Sequence, residues 1–255
     1  MNAEASSPET MGVIGPGRFG SSLAMSLENL GFHVITRAKN HALDLESWVM
    51  PCQVLCLCVR DHQIEDLVTQ LAAVPIQNKT ILMHSGVTPL SSLKVLAQKG
   101  AVIGKFHPLQ AFTQVGSQPI PQGTPFAMEG PIQALVAPWV KAWGGVLHEL
   151  KGDQWQVYHL AAVLAANFLP LFIRQGASLL EGMTSDQQSA LDWLAPLVRH
   201  SVEGALNASV SQPFSGPAIR RDQATIAKHL SWLQHHKPGL TAIYQSATER
   251  ILKEK

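Results

Sequence analysis

The stretch MGVIGPGRFGSSLAMSLENLGFHVITR, residues 11–37, decides the fold. At its centre Gly15, Gly17 and Gly20 stand in the G-x-G-x-x-G spacing, a pattern loose enough to arise by chance. Its flanks give it meaning. MGVI is a short apolar run of the kind that forms a buried strand, and SSLAMSLENLG carries Leu23, Leu27 and Leu30 near helical spacing before stopping at Gly31. FHVITR reads as a second strand, so strand, glycine loop, helix and strand follow within about 30 residues. In such a unit Gly15 permits the tight turn, Gly17 lets the backbone approach a pyrophosphate, and Gly20 lets helix and strand pack closely. The helix that follows aims its free N–H groups at the phosphates. The competing reading is a glycine turn that binds nothing.

The alternation continues beyond this unit. VLCLCV (54–59), KTILMHSG (79–86), AVIGKFHPL (101–109), TPFAMEG (124–130) and VLHEL (146–150) read as strands. Helical patterns separate them at 61–74, at 88–100, where Thr88-Pro89 is read as a cap, and at 131–145. From Asp153 the patterns are helical only. The expectation is an α/β chain: a tail over 1–10, a mostly parallel, helix-flanked sheet over 11–150, and an all-helical domain over 151–255. Between two such domains is a common place for a small substrate to bind.

Composition narrows the partners. A formal net charge of +1 gives no reason to expect nucleic acid or an anionic membrane. The three cysteines, Cys52, Cys56 and Cys58, are odd in number and crowded, which fits buried thiols in a reducing compartment rather than disulfides or a metal site. Residues 1–10 lack the basic start and apolar core of a signal peptide. The longest apolar stretch, Leu160 to Ile173, contains Asn167 and Pro170 and reads as too short to span a bilayer. A cytoplasmic protein with no metal is expected.

The end of the second strand bears on the choice of dinucleotide. NAD enzymes usually place an acid there for the ribose 2′-hydroxyl. Here Val34-Ile35-Thr36-Arg37-Ala38-Lys39 offers none before Asp44, and Arg37, helped by Lys39, Thr36 and Arg18, suits the 2′-phosphate of NADP. NAD stays open, as does the reading of these charges as solvated surface. His107 follows a strand, at the sheet edge where open α/β folds bind ligands; it is read as a proton donor or carbonyl-orienting group, or as a turn residue held by Pro108. His159 and Asn167 sit eight residues apart in an apolar helix, about 80° around an ideal one, and face one cleft or else partner nearby backbone.

Together GPGRFG, HSG (84–86), KFHPLQAF (105–112), YHLAAVLAANF (158–168) and SGPAIRRD (215–222) resemble a bacterial family. That family joins a Rossmann-like domain to a C-terminal helical domain of unknown function, and is similar in layout to pyrroline-5-carboxylate reductase, ketopantoate reductase and deazaflavin-dependent NADP reductases. The resemblance implies an NAD(P) site in which Phe19, Val59 and Ser85 join the glycine loop, with Gln110 and Arg220 as substrate contacts and a homodimer as the assembly. The family commonly carries glycine where this chain has Arg221, and related reductases use a Lys-x-x-x-Asn pair. Here Val163 precedes Asn167 by four residues, and His159 is the candidate substitute. The resemblance attaches no substrate; the leading reading of the residues is a hydride transfer between NADP and a small carbonyl or imine, with His107 or His159 supplying the proton and Asn167 holding the reacting oxygen or nitrogen. A dinucleotide-binding sensor without turnover and a deazaflavin reductase are the other readings.

Overall fold

The computed structural model describes residues 9–39, 41–116, 118–207, 209 and 214–253. The expected tail therefore lies outside the described residues up to Pro8, and Thr10, assigned to it from sequence, instead pairs with His33 in the first strand.

Seven strands form one sheet: β1 (Thr10–Ile14), β2 (His33–Arg37), β3 (Val54–Leu57), β4 (Thr80–Met83), β5 (Val102–Pro108), β6 (Phe126–Glu129) and β7 (Leu147–Glu149). Their order is β2-β1-β3-β4-β5-β6-β7. All neighbours are parallel except β5 and β6, so the sheet is mostly parallel, as the strand–helix alternation implies. Helices α1 (Arg18–Glu28), α2 (Leu45–Val49), α3 (Ile64–Leu71), α4 (Lys94–Gln98) and α5 (Gln133–Ala142) lie between the strands.

The strands are apolar on both faces because both faces are covered. Met11, Val13, Cys56, Leu82 and Phe106 pack with Leu23 and Leu27 of α1 and with Trp139 of α5. Ile14, Leu55, Leu57, Ile81 and Met83 pack on the other side with Trp48, Ile64 and Leu67. All three cysteines are free thiols, and Cys52 and Cys56 are buried in these two cores. The cap expected at Thr88 is not formed. Pro89 stands at the N-cap of a short 3-10 turn, and the Thr88 N–H is taken up by the Ser85 hydroxyl at 2.8 Å.

The chain divides into two compact units, residues 1–169 and 170–255. Helix α6 (Gln154–Ala162) and a π-helical turn at Val163–Asn167 belong with the sheet. The second unit holds nearly all of α7 (Leu169–Leu179), with α8 (Gln187–Leu206), α9 (Gln223–His236) and α10 (Thr241–Lys253). Asp186 caps α8 by accepting from the Ser189 N–H at 2.8 Å, and Asp222 caps α9 by accepting from the Thr225 N–H at 3.0 Å.

Asn167 and Pro170 do not interrupt the apolar stretch. The Phe168 N–H reaches back five residues to the Val163 carbonyl, which widens the turn, and Pro170 falls in the first turn of the helix that resumes after it. The helical run Gln154–Leu179, 26 residues with an 18-residue stretch of mean hydropathy 1.5, is by length and composition long and apolar enough to cross a membrane. That corrects the expectation of a stretch too short to do so.

Candidate functional site

Strand β1 lies between β2 and β3, so the loop after it opens at the point where the strand order reverses. Gly15 turns the chain at φ 89°, and its N–H donates to the Arg37 carbonyl at 2.9 Å. A Cβ on Gly15 would stand 2.9 Å from the Cys58 carbonyl oxygen and 3.0 Å from the Val59 nitrogen. Val59 thus walls the loop with its backbone. A Cβ on Gly20 would meet the Gly15 carbonyl oxygen at 2.2 Å. Packing within the protein accounts for both glycines.

Gly17 is different. Its backbone is extended (φ −77°, ψ −157°), and a Cβ there would meet nothing within 4 Å. No packing contact among the described residues requires glycine at that position, and the space beside it is open. No side chain caps α1 and no acid stands in its first turn, which leaves the N-terminal N–H groups and the positive end of the dipole open to an anion. The residues present fit a pyrophosphate. Phe19 packs against His84 and Phe112, with ring centroids 5.0 and 5.1 Å apart.

At the end of β2, Arg37 donates to the Leu43 carbonyl at 2.8 Å, with its guanidinium 5.9 Å from the centre of the Trp48 ring. The first acid beyond it, Asp44, is occupied as a helix cap: it accepts from the Ser47 N–H at 2.9 Å and from the Ser47 hydroxyl at 2.7 Å. These bonds hold its carboxyl below the usual range. The rim therefore presents Arg37, with exposed Thr36 and Arg18, and no free carboxylate of that loop.

A second cluster gathers at the carboxyl edge of β4 and β5. The Met83↔Lys105 pairing sets Lys105 level with the last residue of β4, and the period of two turns Lys105 and His107 to the same face. Nδ1 of His107 lies 3.1 Å from the Tyr158 hydroxyl of α6, which also approaches the His107 carbonyl at 3.3 Å. A Cβ on Gly86 would meet Cδ2 of His159 at 2.7 Å and Nε2 of His107 at 3.2 Å, so both imidazoles close on the Gly86 backbone. Burial, reinforced by His159 and Lys105, holds His107 down at about 4. His107 is a neutral imidazole at working pH. Burial likewise raises the Tyr158 hydroxyl.

The remaining sequence-derived residues are placed as follows. The Ser85 hydroxyl accepts from the Val87 and Thr88 N–H groups and shapes the turn after β4. Gln110 folds its amide oxygen onto the Ala111 N–H. Asn167 is exposed in the π turn, whose width alters the angular offset from His159 that an ideal helix would give. Arg220 is exposed in the second unit, and Arg221 beside it adopts φ 56°, the left-handed region that glycine favours.

Sequence reasoning missed two residues of the first unit. Lys105 is wholly buried, with its Nζ 3.7 Å from the centre of the Trp155 ring. His84 contacts the Phe106 carbonyl through Nδ1, has no partner for Nε2, and is pushed by burial down to about 3. The signal for Lys105 was its place two residues before His107 in one strand, which puts both on one face. The signal for His84 was its place at the end of an apolar strand.

The family described as a domain of unknown function, DUF2520, matches residues 124–251. The chain belongs to it. The match runs from Thr124, just before β6, to Ile251 in α10, and so covers the last two strands and the helices after them. Solved structures agree on the fold. A candidate NADP oxidoreductase from Bacteroides fragilis has a TM-score of 0.74 at 20% identity, over 97% of this chain and 99% of that one. A reductive aminase from Aspergillus terreus, solved with NADPH and ethyl levulinate, gives 0.67 at 15% identity over 97% and 94%. The pyrroline carboxylate reductase of Plasmodium falciparum, solved with NADP, gives 0.60 at 15% identity over 96% and 98%. Identities this low make the likeness one of fold: the Rossmann-like sheet with a helical C-terminal part. No protein among the curated ones matches the chain.

Proposed function

We propose that this member of the DUF2520 family is an NADP-dependent oxidoreductase that moves hydride between NADP and a small carbonyl or imine compound. The observation that carries the reading is the glycine loop at the switch point of the sheet, where Gly17 leaves open space before an uncapped helix N-terminus. The relatives of the same fold, which bind NADP or NADPH, support it.

The N–H groups at the start of α1 hold the pyrophosphate, and Arg37 takes the 2′-phosphate with help from Thr36 and Arg18. Hydride chemistry belongs to the nicotinamide when it is bound. This chain supplies orientation and protons. His107, neutral and braced by Tyr158, hydrogen-bonds the reacting oxygen or nitrogen rather than acting as a cationic acid. His159, closing on the same Gly86 backbone, supplies the proton, and Asn167 and Gln110 are further substrate contacts of the same unit. The test is loss of nicotinamide absorbance when purified protein and NADPH meet a panel of ketones, oxo acids and cyclic imines. Turnover that falls at least tenfold in His159→Ala supports the assignment; turnover untouched by that change refutes it.

The second reading, a dinucleotide sensor without turnover, is favoured by Val163, which stands where related reductases carry lysine. Tight NADPH binding with no turnover on any of the panel would select it.

The assembly is a homodimer in a cytoplasmic setting, built on the apolar run. Val157, Leu160, Leu164 and Phe168 are exposed by 68, 54, 61 and 45% at spacings of three and four, a stripe along one helical side. A second copy covers this stripe, and a bilayer is the competing occupant. Light scattering without detergent gives twice the chain mass under the proposal; a monomer, or protein that needs detergent, contradicts it.

A further inference from the structure

Lys105 carries an ammonium that has no hydrogen-bond partner among the described residues. Its side chain is 0% exposed and its Nζ is enclosed without a hydrogen-bond partner, resting on the Trp155 ring. A buried ammonium brings three donors, and a ring face uses none of them as a lone pair would. The contrast with Lys79 is direct. That lysine also turns inward, and its Nζ finds the Met50 and Cys52 carbonyls at 3.0 and 2.6 Å. Glu129, opposite Lys105 on β6, and Asp61, beyond β3, attract its charge through space, but neither is within ion-pair distance.

The position of Lys105 is that of a site residue. It lies level with the end of β4, on the face that carries His107, beside the turn where His107 and His159 close on Gly86, and under α6. We propose that Lys105 is an anion seat: the compound bound beside His107 carries a carboxylate, and that carboxylate takes the place the Trp155 ring now holds at the ammonium. This deepens the reading of the chain as an oxidoreductase, on which it rests for the neighbouring reaction, and narrows its substrate to oxo or imino acids. The lysine's four-carbon stem lets Nζ swing from the ring to an incoming oxygen.

The groups facing Lys105 fix how the seat responds to pH. Burial lowers its ammonium to about 8, with Glu129 and Asp61 opposing, and neutral His107 and the Trp155 and Tyr158 rings of α6 add no full charge. The amine is mainly charged at pH 7, and a bound carboxylate raises its titration point.

The experiment follows Lys105 itself. Protein carrying 13C at the lysine ε-carbons is titrated with pH by NMR, in chloride and then in 4-oxopentanoate or acetate at equal ionic strength; ethyl 4-oxopentanoate is the uncharged control. The resonance lost in Lys105→Met identifies the lysine, and chemical unfolding of that variant checks that it folds. Should it not fold, Lys105 is the more depressed of the two lysines that burial lowers, and Lys79→Met removes the resonance of the other. The expected result is an upward move of one pH unit or more with either carboxylate and none with the ester, equivalent to about tenfold tighter anion binding to the charged amine. An unmoved titration point, or an equal shift with the ester, overturns the seat. NADPH binding is followed separately by tryptophan fluorescence. A shift without NADPH binding leaves the anion seat standing and removes the reductase reading, while NADPH binding without a shift removes only the seat.

Discussion

Replacing Arg37 with alanine removes the one cation that the end of β2 holds in a fixed place. The Leu43 carbonyl, 2.8 Å from one guanidinium nitrogen, anchors the group, and the Trp48 ring flanks it, leaving the other N–H edge for a phosphate. Charge-assisted hydrogen bonds contribute about 1.5–3 kcal/mol each. Because this rim is partly open to solvent, the lower figure applies, and about 1.5 kcal/mol corresponds to roughly a tenfold loss of affinity. NADH has no 2′-phosphate to lose, so its affinity should change by less than about threefold. Energy transfer from the six tryptophans to the reduced nicotinamide gives both dissociation constants in one titration format. Raising the salt concentration should shrink the NADPH difference further. Equal losses for NADPH and NADH would refute the reasoning, since Arg37 would then be supporting the loop through its contacts to 43–44 and not reading the phosphate.

Three predictions concern stability. Burial keeps His84 and His107 neutral, at about 3 and 4, so the unfolded chain binds more protons than the native one as pH falls below 6.5; each should contribute about 2 kcal/mol of lost stability between pH 7 and pH 5, measured by urea unfolding. Lys105→Met should raise stability at pH 7 by roughly 2–3 kcal/mol, because the charged form is disfavoured in the fold, and the gain should fade as pH climbs from about 8 to 10.5. Arg221→Gly should stabilise by roughly 0.5–1 kcal/mol in thermal unfolding, relief at φ 56° outweighing the added freedom of the unfolded chain.

The sheet could be read from the sequence because its rules are local. Apolar runs such as VLCLCV and TILM, bounded by polar and glycine-rich connections, identify strands without knowledge of their neighbours, and the loop at 12–21 gained its meaning from the strand before it and the helix after it. What escaped depends on contacts distant in sequence. Lys105 reads as an ordinary charged residue, and only the packing of Trp155, 50 positions later, makes it a buried one. The continuity of the 154–179 run escaped for a different reason. Asn167 and Pro170 count as breakers in an ideal α-helix, whereas a π turn ending at Asn167 rearranges the hydrogen-bond ladder just where proline lacks its N–H. Thr88 looked like a cap because threonine before proline often is one; its hydroxyl instead turns to the Asp61 carboxylate at 3.5 Å, 27 positions earlier.

The central claim, that the loop at 12–21 holds a dinucleotide, is tested most directly by titrating NADPH into the native protein and into Gly17→Ala. A methyl at Gly17 meets nothing within 4 Å and the backbone there is extended, so the variant should fold, with a stability change below about 1 kcal/mol. The native protein should bind NADPH, and the variant, with a methyl in the open space beside residue 17, should bind it at least tenfold more weakly. Native protein that does not bind NADPH, or a variant that binds it equally well, would contradict the account, and Gly17 would then be an ordinary turn residue.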